Sequence, residues 1–188
     1  MIDIAKTDER LSKTLSEKRY THSVYVAHTA SDLAKIFGAD INKAFIAGLV
    51  HDCAKSLSFD ESVAVAKKYN YDLDSVTLKC PPVIHADIGM LLAEYEYGIK
   101  DREILDAIRY HTIAREGMTL LDKILYVADM TEPMRDFPRV AELREYAKSD
   151  IDKAFCESLR STLEFKLKKG NIIHPNTLLA WNEIISKK

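Results

Sequence analysis

Apolar residues recur at intervals of three and four along most of this chain, and this helical period limits the fold more than any other feature. Between about residue 17 and Gly38, the positions Val26, Ala30 and Leu33 keep this spacing, which places them on one face of a helix. Gly38 is typical of the residue that follows a helix end. Runs of alternating apolar and polar residues, the pattern of a half-buried strand, do not stand out. The sequence therefore predicts an all-α fold.

Capping residues and glycines mark the ends of further predicted helices. The segment Ser58-Phe59-Asp60-Glu61 is a capping box. Gly170 follows a long periodic segment, and Pro175 suits the first turn of a last helix that carries Trp181. Helices are predicted at about residues 40–53, 58–69, 86–97, 101–113, 119–130, 138–147 and 150–169.

The composition excludes several classes of function. The 188 residues carry a formal net charge of −2, which gives no indication of a nucleic-acid or membrane surface. The longest apolar runs are too short to span a bilayer, and residues 1–6 lack the parts of a signal peptide. The cysteines Cys53, Cys80 and Cys156 are odd in number and widely spaced. We therefore expect one domain over residues 1–188, three buried cysteines and a reducing, cytoplasmic location.

The doublet His51-Asp52 comes at the end of the apolar run 44–50. Burying such a pair is costly unless the two side chains are paired or coordinated. A single inward histidine is usually a hydrogen-bonded core residue, but this doublet is accompanied by further polar groups. Four more groups lie in similar apolar settings: His22, His85, His111 and Asp129.

Helical spacing turns these six groups toward the interior. His22 lies four residues before Val26, and His51 lies three residues after Gly48. The other four groups follow apolar rows of their own helices in the same way. No Lys or Arg shares these rows, so we expect the two aspartates to lack a structural counterion. A cation bound among the six groups would satisfy them together.

Six short segments that contain these groups occur in a fixed order. They are Arg19–Val24, Ala47–Lys55, Ile84–Ala86, Tyr110–Thr112, Ala128–Pro138 and Ile173–Thr177. This set resembles the HD-domain superfamily of metal-dependent phosphohydrolases, and within it the bacterial symmetrical bis(5′-nucleosyl)-tetraphosphatases. The resemblance covers residues 19 to about 182. One departure is Arg139, which stands where the family pattern usually has a glycine.

The resemblance implies a single HD domain with a buried metal centre. Its core would span about residues 17–132, with C-terminal helices at 138–187 packed on it. The implied primary metal ligands are His22, His51, Asp52 and Asp129. His85 and His111 would either complete a second metal site or contact substrate phosphates, with a slight preference for phosphate contact and one metal. Mixed imidazole and carboxylate ligands favour iron, with manganese, cobalt and zinc as alternatives.

The implied reaction is hydrolysis of diadenosine tetraphosphate and related dinucleoside polyphosphates to two nucleoside diphosphates, ADP in the first case. Asp52 would position or deprotonate the attacking water, and Lys55 would stabilise charge on the transferring phosphoryl group. Arginines suit nucleotide phosphates because a guanidinium binds them in a bidentate manner. The implied substrate-binding residues are Arg19, Asp52, Lys55, His85, His111, Asp129, Arg135, Asn171, His174 and Asn176.

Other interpretations of the same residues stay open. Without the resemblance, Lys55 is an exposed lysine at a helix end, Arg135 belongs to a surface loop, and residues 171–176 are a turn. His28 lies on a different face from His22, and we expect it to be exposed. The alternative functions are a different HD-type nucleotidase or phosphodiesterase, and a non-catalytic module that binds a metal or nucleotide. Tyrosines at 69–71 and 95–97 suggest either the surface of a homodimer or packing in the interior.

Overall fold

A computed structural model describes residues 3–187, and every regular element in that range is an α-helix. The predicted all-α class is confirmed. None of the helices in the described range is long and apolar enough to cross a membrane. In chain order they are α1 (Ile4–Thr14), α2 (Glu17–Phe37), α3 (Ile41–Val50), α4 (Phe59–Lys68), α5 (Ser75–Lys79), α6 (Pro81–Tyr95), α7 (Arg102–Tyr110), α8 (Leu120–Thr131), α9 (Val140–Ala147), α10 (Ile151–Lys169) and α11 (Pro175–Ser186).

Two helices were absent from the sequence prediction, and α3, α6 and α7 each have one end three or more residues from its predicted place. Helix α1 buries only Thr7 and Leu11, so its apolar row is too sparse to reveal a period. Helix α5 has 5 residues and is too short to show one. Helix α6 begins at Pro81, five residues before the predicted start, because two prolines occupy its first turn. Helix α3 ends at Val50 rather than Cys53, and the chain continues in tight turns to residue 57.

Arg139 has a left-handed backbone conformation at the start of α9, with φ +75° and ψ 2°. Glycine adopts this region without the steric cost that a Cβ brings. A glycine, which the family resemblance implies at this position, would adopt this conformation without that cost. The predicted helix start at residue 138 was two residues early, because a left-handed residue cannot continue into the helix.

Gly48 allows α2 and α3 to pack in direct backbone contact. A Cβ added to Gly48 would lie 2.6 Å from the Cα of Ala27 on α2, closer than any side chain can be placed. His51 caps the end of α3, one turn beyond this contact. The position of His51 relative to α2 is therefore set by a glycine.

Five helices pack against one another around the predicted site. Contacts join α2 to α3 and α8, α3 to α7 and α8, and α7 to α6 and α8. The later helices α9 and α10 pack on α8, and α11 packs on α10. The domain boundaries, with a core at 17–132 and supporting helices at 138–187, stay a prediction. Met1, Ile2 and Lys188, which the predicted domain includes, lie outside the described residues.

Candidate metal centre

The four predicted primary ligands converge on one buried point. The Nε2 atom of His22 lies 3.1 Å from Oδ1 of Asp129 and 3.8 Å from Oδ2 of Asp52. The Nε2 atom of His51 lies 3.6 Å from Oδ2 of Asp52 and 4.0 Å from Oδ1 of Asp129. His51 is completely buried, and 17% of the Asp129 side chain is exposed. The helical rows correctly placed these groups in the interior.

Backbone and side-chain acceptors fix which ring nitrogen of each histidine carries the proton. The Nδ1–H of His51 donates to the carbonyl of Gly48 at 2.7 Å. The Nδ1–H of His22 donates to a carboxylate oxygen of Glu132 at 3.0 Å. In the neutral rings, both Nε2 lone pairs therefore point into the cluster, where both atoms are buried without a hydrogen-bond partner. Two orphaned lone pairs beside two carboxylates fit a transition-metal cation.

His85 and His111 form a second half of the same cluster. Their Nδ1–H groups donate to the carbonyls of Pro82 and Ile108, at 2.9 and 2.6 Å. Their Nε2 atoms lie 3.2 Å from each other. From Oδ1 of Asp52, His85 is 3.2 Å and His111 is 3.7 Å away. Asp52 thus directs Oδ2 toward His22 and His51, and Oδ1 toward His85 and His111.

The expectation that no basic residue neutralises the two aspartates was wrong. Arg19 Nη1 lies 2.6 Å from Oδ2 of Asp52, and Arg135 contacts Asp129 through Nη2. Arg135 also donates from Nε to the backbone carbonyl of Asp129 at 2.7 Å. Arg19 lies on α2, and Arg135 lies in the loop after α8. Neither arginine is on the helical row of the aspartate that it contacts, so those rows could not reveal the contact.

Lys55 reaches the same cluster from the turns that follow α3. Its Nζ lies 3.0 Å from Nε2 of His85 and 3.9 Å from Oδ1 of Asp52. The amide of Lys55 donates to the carbonyl of Asp52 at 2.9 Å, and this tight turn directs the side chain back over the carboxylate. Lys55 therefore belongs to the cluster, although its side chain is 32% exposed.

Burial and neighbouring charges set the ionisation of the cluster. Burial lowers the pKa of His51 and of His85 to about 4, so both rings are neutral near pH 7. Burial opposes ionisation of Asp52, but the facing rings of His51, His111 and His85 hold the pKa of its carboxyl well below its usual range. Burial also opposes ionisation of Asp129, whose pKa the neighbouring His22 and Arg135 nevertheless lower. The cluster thus combines the neutral imidazoles of His51 and His85 with ionised carboxylates, the forms that bind a metal.

Sequence reasoning missed Glu132, which is 1% exposed and contacts His22. The missed signal was the helical row that passes through Leu121, Leu125 and Ala128, all of which are buried. Glu132 continues this row by one turn and so points inward by the argument that was applied to the histidines.

A cavity of about 400 Å³ opens beside the metal ligands. This volume lies in the usual range for small-molecule sites. The side chains that line it come from the start of α2 and from the loop after α8. They are Lys18, Arg19, His22, Glu132, Met134, Arg135, Asp136 and Phe137. The three cations among them outnumber the carboxylates of Glu132 and Asp136, which suits an anionic ligand.

The predicted C-terminal site residues lie outside this cluster. His174 caps α11, where its Nδ1 accepts from the amide of Asn176 at 3.2 Å. Its Nε2 lies 3.3 Å from Oδ2 of Asp74. Asn171 is exposed and Asn176 is half-buried. Their predicted contact with substrate stays a prediction, and the observed contacts of His174 join α11 to the start of α5.

A larger cavity, about 660 Å³, lies at residues 118–187 between α8, α10 and α11. The residues that line it include Lys123, Phe155 and Glu183 and none of the predicted site residues. It is lined by three lysines and four acidic residues, so it lacks an excess of positive charge. Chemistry rather than volume therefore identifies the smaller cavity as the candidate site.

Comparisons with known proteins agree with this site. The HD domain family model matches residues 19–134. The symmetrical bis(5′-nucleosyl)-tetraphosphatase of Bacillus subtilis is 42% identical over 94% of each chain. The protein of the same name from Halalkalibacterium halodurans is 40% identical over 91% of each chain.

A crystal structure from Clostridium acetobutylicum, described as a predicted HD superfamily hydrolase involved in NAD metabolism, has the same fold. It superposes with a TM-score of 0.96 at 41% sequence identity and covers 100% of both chains. The matches in sequence and structure extend over the cluster of histidines and aspartates. This chain therefore belongs to the HD domain family, in the branch that contains the symmetrical bis(5′-nucleosyl)-tetraphosphatases.

Proposed function

We propose that this protein hydrolyses diadenosine tetraphosphate and related dinucleoside polyphosphates symmetrically, to two molecules of nucleoside diphosphate. The observation that carries the proposal is the convergence of two orphaned histidine nitrogens and two ionised carboxylates at the edge of a cationic cavity. The names of the full-length relatives support the same substrate and the same symmetrical cleavage.

We propose His22, His51, Asp52 and Asp129 as the primary ligands of a divalent or trivalent metal. The ligand atoms of His22, His51 and Asp129 lie within 4.8 Å of one another. Iron is the metal that we expect first, because two imidazoles and two carboxylates suit a borderline cation, and manganese, cobalt and zinc share this preference. A cation held there polarises a phosphoryl oxygen and acidifies a water molecule.

The tautomers of His85 and His111 support a second cation site rather than direct hydrogen bonds to phosphate. Both Nδ1–H groups are used by backbone carbonyls, so each neutral ring offers only a lone pair at Nε2, and a lone pair cannot donate to a phosphate oxygen. The ligand atoms of His51, Asp52 and His111 also lie within 4.8 Å of one another. This favours two metals over the single metal that the sequence slightly preferred.

The residues around the cluster supply the remaining chemistry. Asp52 is held ionised, and a carboxylate with a depressed pKa is a weak base, so its role is to orient the attacking water by accepting a hydrogen bond. Arg19 and Arg135 lie between the carboxylates and the cavity, where they can donate to the phosphates of one nucleotide half. Lys55 lies beside His85, where it stabilises charge on the transferring phosphoryl group.

Symmetrical cleavage requires attack at an inner phosphorus. The water oxygen forms a bond to the second phosphorus, and the bond from that phosphorus to the central bridging oxygen breaks. The bridging oxygen leaves with the third phosphorus, so the products of diadenosine tetraphosphate and one water are two ADP molecules.

Product analysis tests the proposed function. Metal-loaded protein incubated with diadenosine tetraphosphate should yield ADP alone by anion-exchange chromatography. AMP together with ATP would contradict symmetrical cleavage. Turnover of mononucleotides or of cyclic dinucleotides in preference to this substrate would instead support a different HD-type nucleotidase or phosphodiesterase.

The variant Asp52→Asn separates an enzyme from a non-catalytic binding module. We expect turnover to fall roughly 100- to 10,000-fold, because an amide no longer orients the water as a carboxylate does, while far-UV circular dichroism stays helical. Asp60→Asn, on the exposed surface of α4, is the matched control and should keep full activity. Full activity in Asp52→Asn would remove this role, and no activity in the unmodified protein would favour a binding module.

We also propose a location and an assembly for the protein. Cys53 and Cys80 are free thiols, which agrees with a reducing cytoplasm. A homodimer through the tyrosine-rich segments is also a proposal. The ring of Tyr69 stacks on Tyr95 at 4.3 Å, and 51% of Tyr95 remains exposed and available to a second copy.

A further inference from the structure

We propose that Glu132 is a positioning residue that orients His22 and raises its basicity as a metal ligand. The inference rests on the metal centre of the proposed function and adds a residue outside its ligand set. Oε1 of Glu132 lies 3.0 Å from Nδ1 of His22, and Glu132 is buried with 1% of its surface exposed.

His22 differs in this contact from the other histidines of the cluster. The Nδ1–H groups of His51, His85 and His111 all donate to neutral backbone carbonyls. Among these four rings, only that of His22 has a carboxylate as the partner of its Nδ1–H. A carboxylate holds the Nδ1 proton more strongly than a carbonyl does and leaves the Nε2 lone pair more basic.

The carboxylate of Glu132 is itself held in place from several sides. Its Oε2 accepts from the amide of Met134 at 2.5 Å. Its backbone carbonyl accepts from Nη2 of Arg144 at 2.8 Å, and Arg144 also donates to the carbonyls of Thr131 and Arg135. Arg144 therefore anchors the segment that presents Glu132, and the direction of the carboxylate toward His22 is fixed.

A purely structural role does not account for a buried carboxylate at this place. A hydrogen bond to the amide of Met134 alone would not require a charged acceptor, and burial of a charge is costly. The nearest cationic nitrogen, Nε of Arg135, is 3.8 Å from Oε1. The closer contact of Oε1 is with His22, which is where the carboxylate acts.

The affinity of the protein for Mn²⁺ tests the proposed role of Glu132. Metal-free protein is titrated with Mn²⁺, and free Mn²⁺ is measured by electron paramagnetic resonance. We expect Glu132→Gln to bind Mn²⁺ about 10- to 100-fold more weakly than the unmodified protein, the usual effect of removing a second carboxylate from a metal-bound histidine. The matched control, Glu145→Gln, changes an exposed glutamate of α9 and should leave the affinity unchanged.

A double-mutant cycle distinguishes action through His22 from a general structural effect. In a protein that already carries His22→Ala, adding Glu132→Gln should cause no further loss of Mn²⁺ affinity. The cycle is repeated with His22→Asn, so that a folding defect in either background leaves the other for measurement. Independent losses in both backgrounds, or unchanged affinity in Glu132→Gln alone, would overturn the proposal.

These outcomes are separate from those of the proposed function. If Glu132→Gln weakens Mn²⁺ binding but diadenosine tetraphosphate is not cleaved, the positioning role stands and the substrate is wrong. If cleavage to ADP is observed and Glu132→Gln binds Mn²⁺ normally, the proposed function stands and the role of Glu132 is rejected.

Discussion

His51 is a histidine whose protonation the surrounding protein suppresses. Burial lowers its pKa, and that of His85, to about 4, from an ordinary value of about 6.5. Between these values the unfolded chain binds protons at both positions and the folded chain does not. Stability therefore rises with pH through this window and is lost as the pH falls through it.

The metal-free protein should accordingly lose stability as the pH is lowered from about 6.5 toward about 4. The melting temperature, measured by circular dichroism across this window, should fall less steeply in His85→Gln because one of the two suppressed imidazoles is gone. His28→Gln is the control, since His28 is exposed as the sequence predicted, and should leave the slope unchanged. An unaltered slope in His85→Gln would show that burial of this imidazole does not set the pH dependence.

Helices α2 and α3 carry His22 and His51, and their close contact at Gly48 sets the distance between these two ligands. The backbone of Ala27 occupies the space that a side chain at position 48 would need. A second glycine, Gly89 on α6, lies over the carbonyl of His51, where an added Cβ would be 3.2 Å from the oxygen. The two glycines thus place α2 and α6 against the end of α3.

Gly48→Ala should destabilise the protein by about 1–3 kcal/mol, because the helices must separate to admit the methyl group. Chemical denaturation measures the loss, and Mn²⁺ affinity should fall with it as His22 and His51 move apart. Gly89→Ala should cost less, since the approach to the His51 carbonyl is less close. Equal or greater stability of Gly48→Ala would contradict a contact set by backbone atoms.

The sequence predicts elements well where a repeated pattern defines them. Helices α2, α4, α8 and α10 lie within a residue or two of their predicted bounds, because each combines an apolar row with a cap. Helices α1 and α5 were missed because one buries two residues and the other has five. The left-handed backbone at Arg139 was indicated only by the family resemblance, which implies a glycine at this position.

Across the whole molecule, the site was predictable as a set of inward-facing groups and not as a network of partners. The rows of single helices correctly placed His22, His51, His85 and His111 in the interior. The contacts of Arg19 with Asp52 and of Glu132 with His22 join residues 33 and 110 positions apart. Such pairs depend on how helices pack, which the period of one helix does not encode.

The central claim is that the cluster of histidines and aspartates is a metal centre. The most direct measurement is the metal content of protein purified without added metal, by inductively coupled plasma mass spectrometry, beside the same preparation of His51→Ala. We expect stoichiometric transition metal, with iron prominent, in the unmodified protein and its loss in the variant. Only trace metal in an unmodified preparation that cleaves diadenosine tetraphosphate to ADP, with no increase in rate when metal is supplied, would contradict it.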